Sequence, residues 1–507
     1  MKTRIPFHPP LIAAFPVLSL YSANMALVPL GDLWRPLAIS IALSIFVWGV
    51  VGLVFRNVAR GAAIASASMA GVFLYGRIVG PPSNTTPMLE LGLYVLLASL
   101  LLFVFGRRWK QGDWQTPTLN LLGSALVLVT LASIVFGVAA ENRHIAEIAH
   151  RKNASDSVVW RNVPDVFYIL VDGYGRQDQL KRVFGYDNSA FVAELEKRGF
   201  FVANKSHSNY CQTELSLASS LNAELVQSLL PRMVVTDADR APLDDLVNDS
   251  FVANTFKSHG YRTFAVTSGF PAFQMTKADE WLHSPIKTTL FEDAVLQLTP
   301  FGSVNGLGGS SMFDQRRQYL LGAFDNLQAL ARPSSTPRFV FAHILMPHPP
   351  FVLGADGTPA QTHHPFGFWD GSHFYEYGGT RAEYKSGYVG QVEYLNSRLL
   401  SIVDAIQGDA KTPPIILIQG DHGSKLGLDQ ERLDRTDIEE CFGNLSALNV
   451  PDSVRKQLDD AITPVNSFRL ILSDLFGAGL QRLQDKSWYS SFSTPYQFVD
   501  VTRRLAH

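Results

Sequence analysis

The distribution of apolar and charged residues divides the chain into two parts. Between Pro9 and Ala140 the charged residues are few and bunched, whereas from about Ser155 onward Asp, Glu, Lys and Arg are scattered as they are on a solvated surface. The pattern therefore indicates two different solvents, which are lipid for the first part and water for the second.

Five stretches of the first part have the length of a membrane span. A helix needs about 20 mainly apolar residues to cross a hydrocarbon core of roughly 30 Å. The stretches that meet this length are 10–30, 36–55, 61–80, 88–106 and 119–140. The first stretch is too long for the apolar region of a cleaved signal peptide, and further spans follow it closely. We predict a membrane domain of five helices over residues 1–140, and a polar connector over residues 141–162.

The predicted orientation follows from the positions of lysine and arginine. They gather before the first span, between the second and third spans, and between the fourth and fifth spans. Cytoplasmic loops carry the excess of these residues, so the N-terminus and these alternate loops are predicted to be cytoplasmic. An odd number of spans then places everything after Ala140 outside. We expect a bacterial-type inner membrane protein with a periplasmic or extracellular C-terminal domain.

Residues 163–507 show the pattern of an α/β domain. Short β-branched and aromatic runs alternate with helical patterns, which predicts a mostly parallel central sheet covered by helices. The runs are almost continuously apolar, as expected for strands buried on both faces. The clearest predicted strands are Asp165–Val171, Tyr261–Thr267, Arg338–His343 and Pro414–Gln419. The segments Gly302–Ser311 and Gly354–Gly379 are predicted to be long loops over the top of the sheet.

Charge and cysteine content exclude two classes of function. A formal net charge of −2 gives no basic footprint for nucleic acid. Two cysteines, Cys211 and Cys441, allow neither a zinc knuckle nor a disulfide framework, although an oxidising compartment would permit one bridge.

Candidate metal-binding and catalytic residues follow three of the predicted strands. Asp172 comes directly after the first strand, Asp421 and His422 follow the last one, and the strand that ends near His343 leads to His348 in the segment Met346-Pro-His-Pro-Pro. In open α/β sheets, ligands bind just beyond the carboxyl ends of the strands. An Asp-Gly pair after a strand is usually only a turn, but three such ends at one edge predict a site.

Two carboxylates and an imidazole form a set of metal ligands. Asp172, Asp421 and His422 suit Zn²⁺ or Mn²⁺, with Ca²⁺ or Mg²⁺ as alternatives, and leave room for a further oxygen ligand. A second metal site could draw on four more histidines, although loop histidines are usually only solvated. These are His343, His363, His364 and His373.

The predicted metal set lacks a nucleophile, and Thr213 can supply one. Leu217, Leu221 and Leu225 recur at helical spacing, so Thr213 lies at a predicted helix start. Judged alone, it is a plain helix cap. Next to a divalent cation, however, its hydroxyl would have a lowered pKa, and the helix N-terminus would favour a phosphate or sulfate group.

These motifs resemble the alkaline phosphatase and sulfatase superfamily. The architecture is similar to that of lipoteichoic acid synthases and phosphoethanolamine transferases, which have five membrane helices and an extracytoplasmic sulfatase-like domain. The resemblance rests on Asp172 after a strand, on Asn209-Tyr-x-x-Thr213, on Pro347-His348-Pro-Pro and on Gly420-Asp421-His422-Gly423. It implies that Asp172, Asp421, His422 and Thr213 bind the metal, that Thr213 is the covalent nucleophile, and that His348 contacts the transferred group.

One departure from the superfamily pattern changes the expected chemistry. Dedicated sulfatases carry Cys or Ser within a Cys/Ser-x-Pro/Ala-x-Arg motif, whereas this chain has Cys211-Gln-Thr213-Glu-Leu215, without the Pro and the Arg. Cys211 is therefore interpreted as a bystander, and sulfatase chemistry is disfavoured.

Three functional hypotheses follow from the sequence. The first is a metal-dependent transferase that moves a phosphate-containing group from a lipid donor to a glycan or lipid acceptor through a phospho-threonine. The second is a sulfatase-like hydrolase of phosphate or sulfate esters. The third is a non-catalytic lipid sensor of the same fold, which is disfavoured because all four metal-binding residues remain. The expected partners are membrane lipids and a lipid-linked or glycan substrate.

Overall fold

The structure is a computed structural model of the 507-residue chain. The residues that it describes are 5–25, 28, 30–78, 94, 115–148, 163–230, 239–267, 269, 274–282, 289–303, 312–360, 374, 375, 378–408, 410 and 412–505. The chain forms two compact units. The first unit comprises Met1–Arg143 and Ile286–Met312, and the second comprises His144–Pro285 and Phe313–His507.

The described residues form nine strands and sixteen α-helices. The strands are β1 Val166–Val171, β2 Phe201–Val202, β3 Arg262–Thr267, β4 Glu280–Leu282, β5 Arg338–Ile344, β6 Ile415–Gly420, β7 Ser446–Asn449, β8 Trp488–Tyr489 and β9 Val499–Asp500. The helices are α1 His8–Asn24, α2 Leu30–Val54, α3 Val58–Ile78, α4 Gln115–Ile148, α5 Gln177–Gln179, α6 Ser189–Lys197, α7 Thr213–Asn222, α8 Val226–Leu229, α9 Ala241–Asn248, α10 Phe251–Ser258, α11 Leu290–Gln297, α12 Met312–Leu330, α13 Arg381–Gly408, α14 Ile438–Phe442, α15 Asp452–Arg455 and α16 Pro464–Phe476.

Three helices of the described chain are long and apolar enough to cross a membrane. They are Leu30–Val54, Val58–Gly76 and Gln115–Phe136, which correspond to the second, third and fifth predicted spans. The first predicted span forms α1, a helix of 17 residues that contains Pro16. The fourth predicted span, 88–106, lies outside the described residues apart from Tyr94. The membrane-type helices are therefore present, and the count of five stays a prediction.

The second unit contains a seven-stranded sheet in the order β2-β7-β6-β1-β5-β3-β4. Strands β6, β1, β5, β3 and β4 run parallel to one another, and β7 pairs antiparallel with β6 and β2. The four clearest predicted strands match β1, β3, β5 and β6 to within a residue at each end. The prediction of a mostly parallel sheet is therefore confirmed.

Helices cover both faces of this sheet, as the continuous apolar runs predict. Along β1, Phe167, Ile169 and Val171 face a core that includes residues of α12 and α13. The alternate residues Val166, Tyr168 and Leu170 face a second core built with α7, α9, α10 and α16. A strand buried on both faces needs apolar residues at every position, which explains why β1 has no polar alternation.

One segment lies in a different place from the predicted one. Gly302 and Ser303 were predicted to begin a loop over the sheet, but they form a 3₁₀ turn, Pro300–Ser303, within Ile286–Met312, which groups with the membrane-type helices. Residues 304–311 lie outside the described part. In the second predicted loop, Gly354–Gly379, the described residues include Pro359, which forms a bridge with Leu353 just before the loop.

Candidate active site

The register of the central strands brings two carboxylates to the same level. Val171 pairs with Gly420 across the parallel strands β1 and β6, so the next residue of each strand, Asp172 and Asp421, leaves the sheet side by side. Paired residues of parallel strands point to the same face. Both aspartates are buried, with 2% and 1% of their surface exposed.

The turn Asp172-Gly173 after β1 also forms part of the site. Gly173 has a φ of +73°, a left-handed conformation that glycine adopts at little cost. Its N–H donates to Oδ1 of Asp421 at 2.9 Å, and its carbonyl accepts from the hydroxyl of Tyr388 at 2.7 Å. These two bonds fix the turn relative to the neighbouring strand end.

His422 joins the aspartates to the candidate nucleophile. Its Nδ1 lies 2.7 Å from the carbonyl oxygen of Gly423. A carbonyl only accepts hydrogen bonds, so Nδ1 carries a proton, and Nε2 is the ring nitrogen that faces the other site residues. Nε2 lies 3.1 Å from Oγ1 of Thr213. The imidazole is therefore oriented with Nε2 towards the threonine hydroxyl.

Thr213 occupies the first position of α7 and is not the residue that caps it. The cap residue is Gln212, whose side chain makes no capping bond and instead donates to the carbonyl of Ser490 at 2.8 Å. The Thr213 hydroxyl is thus directed to His422, beside the first turn of a helix whose leading N–H groups have no partner within the helix. The interpretation of Thr213 as a helix cap does not hold.

The ligand atoms of Asp172, Asp421 and His422 all lie within 4.8 Å of one another. Oδ1 of Asp172 and Oδ2 of Asp421 are buried without a hydrogen bond from the described residues, and Nε2 of His422 lies 3.7 Å from the first oxygen and 3.1 Å from the second. Two adjacent buried carboxylates repel each other unless a positive charge lies between them. This donor set therefore fits a divalent metal ion with oxygen and nitrogen ligands.

The electrostatics of the two aspartates differ. Burial, and next the charge of Asp172, raise the pKa of Asp421 to about 7. Burial also opposes the ionisation of Asp172, but His348, His343 and His422 together hold the pKa of Asp172 well below its usual range. In the absence of a cation the pair therefore keeps one proton, which belongs mainly to Asp421, up to near-neutral pH.

Two further histidines are tied to Asp172. Nε2 of His343 lies 3.2 Å from Oδ2 of Asp172. The backbone N–H of His348 donates to the Asp172 carbonyl at 3.2 Å, and the His348 ring is buried with its Nδ1 against the carbonyl of Pro349. This strand and the segment after it therefore contact Asp172 twice, His343 at the carboxylate and His348 at the backbone carbonyl.

Arg316 is a residue of the site that the sequence did not reveal. It is fully buried and donates from Nη2 to the Leu345 carbonyl at 2.6 Å. Burial lowers the pKa of its guanidinium to about 10, and the negative charge of Asp172 opposes that lowering. Arg316 therefore holds the segment before His348 and interacts electrostatically with Asp172. Its neighbour Arg317 bonds to the carbonyl of Val352 and to Asp314. In the sequence, the adjacent Arg316 and Arg317 have the appearance of a solvent-exposed helix face, so the burial of Arg316 could not be predicted from them.

The remaining predicted residues have structural or undescribed positions. Cys211 and Cys441 are buried thiols. His363, His364 and His373 lie outside the described residues, so a second metal site stays an expectation.

Replacing Gly423 with alanine is expected to disorder the site. A Cβ at this position would lie 1.9 Å from the carbonyl oxygen of Glu440 and 2.8 Å from that of Gly443. Both are backbone atoms, so α14 or the His422 segment must move, which destabilises by about 2 kcal/mol or more. Thermal unfolding and metal content of the purified variant check this. Gly408→Ala is the control, because nothing lies within 4 Å of that Cβ position; equal effects of the two changes would contradict the prediction.

Comparisons with known proteins give no match at the level of sequence. No protein-family model matches the chain. No curated protein matches it either.

Solved structures do match, at low identity. The periplasmic domain of EptC from Escherichia coli, in complex with Zn, is 13% identical with a TM-score of 0.41, over 69% of this chain and 94% of that one. The integral membrane protein lipooligosaccharide phosphoethanolamine transferase A from Neisseria meningitidis is 11% identical with a TM-score of 0.39, over 92% of this chain and 93% of that one. A sulfatase candidate from Bacteroides thetaiotaomicron is 12% identical with a TM-score of 0.37, over 65% of this chain and 74% of that one.

Proposed function

We propose that this chain is a metal-dependent transferase that moves a phosphoglycerol- or phosphoethanolamine-type group from a lipid donor to a glycan or lipid acceptor. The observation that carries the proposal is the position of the Thr213 hydroxyl, 3.1 Å from Nε2 of His422 and thus next to the buried set of Asp172, Asp421 and His422. A hydroxyl beside such a set, at a helix N-terminus, is placed to attack a phosphorus atom.

A bound Zn²⁺ or Mn²⁺ would lower the pKa of the Thr213 hydroxyl and offset the negative charge of the transferred group. Asp172, Asp421 and His422 would hold the ion, with Thr213 as a further ligand. The first step forms a bond between Oγ1 of Thr213 and phosphorus, and breaks the bond between phosphorus and the lipid glycerol oxygen. The departing diacylglycerol oxygen takes up the proton that the Thr213 hydroxyl loses. In the second step, an acceptor hydroxyl attacks the phospho-threonine, the bond between phosphorus and Oγ1 breaks, and the proton of the acceptor restores the Thr213 hydroxyl.

The remaining groups bind and orient the substrate. The leading N–H groups of α7 are placed to donate to the phosphate oxygens. His348 contacts the transferred group, and its segment is held to Asp172 by the backbone bond from His348. Arg316 keeps that segment in place through Leu345. These contacts position the phosphate without contributing covalent chemistry.

The proposed setting is the outer face of a bacterial-type inner membrane. The N-terminus would be cytoplasmic, residues 1–140 would form five spans, 141–162 a connector, and 163–507 a periplasmic or extracellular catalytic domain. Membrane-type helices favour a lipid substrate, because a hydrolase of small soluble esters has no need of them.

Incubation of the detergent-purified protein with headgroup-labelled phosphatidylethanolamine or phosphatidylglycerol, Mn²⁺ or Zn²⁺, and an envelope extract tests the function. We expect diacylglycerol to form in step with the label entering a lipid or glycan product. Label released only as free headgroup phosphate would identify a hydrolase. Release of sulfate from a sulfate ester, without diacylglycerol, would identify a sulfatase, and the absence of all three products would contradict an enzymatic role.

A further inference from the structure

Residues 289–303, named here the docking segment, belong by sequence to the C-terminal part of the chain, between β4 and α12. In the structure they group with the N-terminal helices. The chain therefore passes from one compact unit to the other three times, after Arg143, after Pro285 and after Met312. A simple anchor followed by a catalytic domain would need only one such passage.

An apolar contact holds the docking segment to the membrane-type helices. Phe291 and Val295, four residues apart on one side of α11, are 3% and 7% exposed. They share one hydrophobic cluster with residues of α1, α2, α3 and α4. The ring of Phe291 meets that of Tyr21 edge to face, with ring centres 5.9 Å apart. Side chains buried in this way must leave an apolar environment if the segment detaches.

Backbone contacts make the fit specific. The N–H of Gly76, near the end of α3, donates to the carbonyl of Leu298 at 3.2 Å. A Cβ at Gly76 would lie 2.2 Å from the carbonyl oxygen of Gln297. The close approach of the two backbones therefore requires a residue without a side chain at position 76.

Polar contacts define where α11 begins. Thr289 and Glu292 form a capping box, in which each side chain accepts from the backbone N–H of the other residue. Glu292 also lies 3.5 Å from Nη1 of Arg35. The Arg35 side chain is 65% exposed, so this ion pair contributes little to stability. It orients the start of α11 relative to the start of α2.

All these contacts lie at one end of the helical unit. Tyr21 is near the end of α1, Arg35 near the start of α2, and Gly76 near the end of α3. These ends adjoin the two loops that carry no excess of positive charge in the sequence, and a segment that follows the fifth predicted span is expected on that same side.

We propose that the docking segment is a second attachment of the catalytic domain, and that its partner is the membrane domain of the same chain. The catalytic domain is then held by an internal loop that binds the helix ends as well as by the connector 141–162. The chain then joins the catalytic domain to the membrane domain at more than one point, whatever reaction the domain performs.

The test separates the two attachments. A site for a specific protease is inserted in the connector between residues 152 and 156 of the full chain, and membranes carrying the protein are cleaved to completion and floated on a density gradient. We expect the C-terminal fragment to float with the membranes. In the double variant Phe291→Asp and Val295→Asp, most of the fragment should leave the membrane fraction after cleavage. Gln297→Asp is the matched control, because that side chain of α11 is exposed.

A second variant changes only the membrane side of the contact. Gly76→Leu should release the cleaved fragment as the double variant does, and Gly31→Leu, where nothing lies within 4 Å of the Cβ position, should retain it. Flotation separates membrane-bound fragment from aggregates, which stay at the bottom of the gradient. Loss of the wild-type fragment from membranes on cleavage would overturn the proposal, and so would full retention in both the double variant and Gly76→Leu. Neither result depends on enzymatic turnover, so a result that overturns the second attachment does not contradict the proposed transferase reaction.

Discussion

Replacing Thr213 with alanine is expected to reduce turnover at least about 1,000-fold, because removal of the proposed covalent nucleophile eliminates the first chemical step. The proposed metal ligands Asp172, Asp421 and His422 stay in place, so the variant should keep its fold and most of its bound metal. Activity on labelled phospholipid, measured beside metal content and thermal unfolding of the same preparation, checks this expectation. Thr213→Ser keeps a hydroxyl at the same atom position and should retain measurable turnover.

Ser216→Ala is the matched control for the Thr213 change. Ser216 lies on the same helix, is buried, and donates to the Tyr210 carbonyl, which also accepts from Ser208. Its loss removes a hydroxyl from α7 without leaving that carbonyl unpaired, so turnover should change only a few-fold. Equal losses in Thr213→Ala and Ser216→Ala would mean that the helix is sensitive to any change and that Thr213 has no special role.

Replacing Asp421 with asparagine should have opposite effects on the metal-loaded and the metal-free protein. The amide keeps an acceptor for the N–H of Gly173 but removes the charge, so metal affinity should fall at least about 100-fold, since changes outside the ligand shell alone cost 10–100-fold. Turnover falls with it. In chelator, however, the variant should unfold at a higher temperature than the wild type, because the repulsion between Asp172 and Asp421 is gone.

The pH dependence of that stabilisation follows from the raised pKa of Asp421, which is about 7 in the folded protein. Between about pH 4 and pH 7 the unfolded chain gives up this proton while the folded chain keeps it, so the stability of the metal-free wild type falls as pH rises through this window. Asp421→Asn has no such proton, so its advantage in chelator should be larger at pH 8 than at pH 5.

Thermal unfolding with and without chelator, together with elemental analysis, measures these effects. Asp404→Asn is the control, because Asp404 pairs at the surface with Arg198 and lies outside the metal set. If Asp421→Asn bound metal as the wild type does, the assignment of Asp421 as a ligand would be wrong.

The sequence predicted the central sheet well because its signals are local. Continuous apolar runs define strands such as β1 and β6, and a carboxylate directly after each run falls at the carboxyl edge by necessity. The register that sets Asp172 level with Asp421 depends on strand pairing, which no run of residues encodes by itself. Proximity of these residues could therefore be expected, but the common level of the two carboxylates needed the structure.

Other features depend on contacts between distant parts of the chain. Arg316 looks like one of two solvated arginines until α12 is packed against the segment at Leu345. Residues 289–303 have a capping box and an apolar side, which predict a short amphipathic helix but not its partner. For Thr213, the helix start could be predicted from the neighbouring residues. The position of its hydroxyl beside His422 could not, because the two residues are far apart in the sequence. Long-range packing is thus the part of the site that sequence patterns left open.

The most direct measurement of the central claim is the mass of the peptide that contains Thr213. The purified protein is mixed with phosphatidylethanolamine or phosphatidylglycerol and Mn²⁺ or Zn²⁺, quenched in acid within the first turnover, digested and analysed by mass spectrometry. We predict that Thr213 carries the added mass of the lipid's headgroup phosphate, and that the addition disappears when an acceptor is supplied. An unmodified Thr213 during active turnover, or the same addition on another residue, would contradict the account.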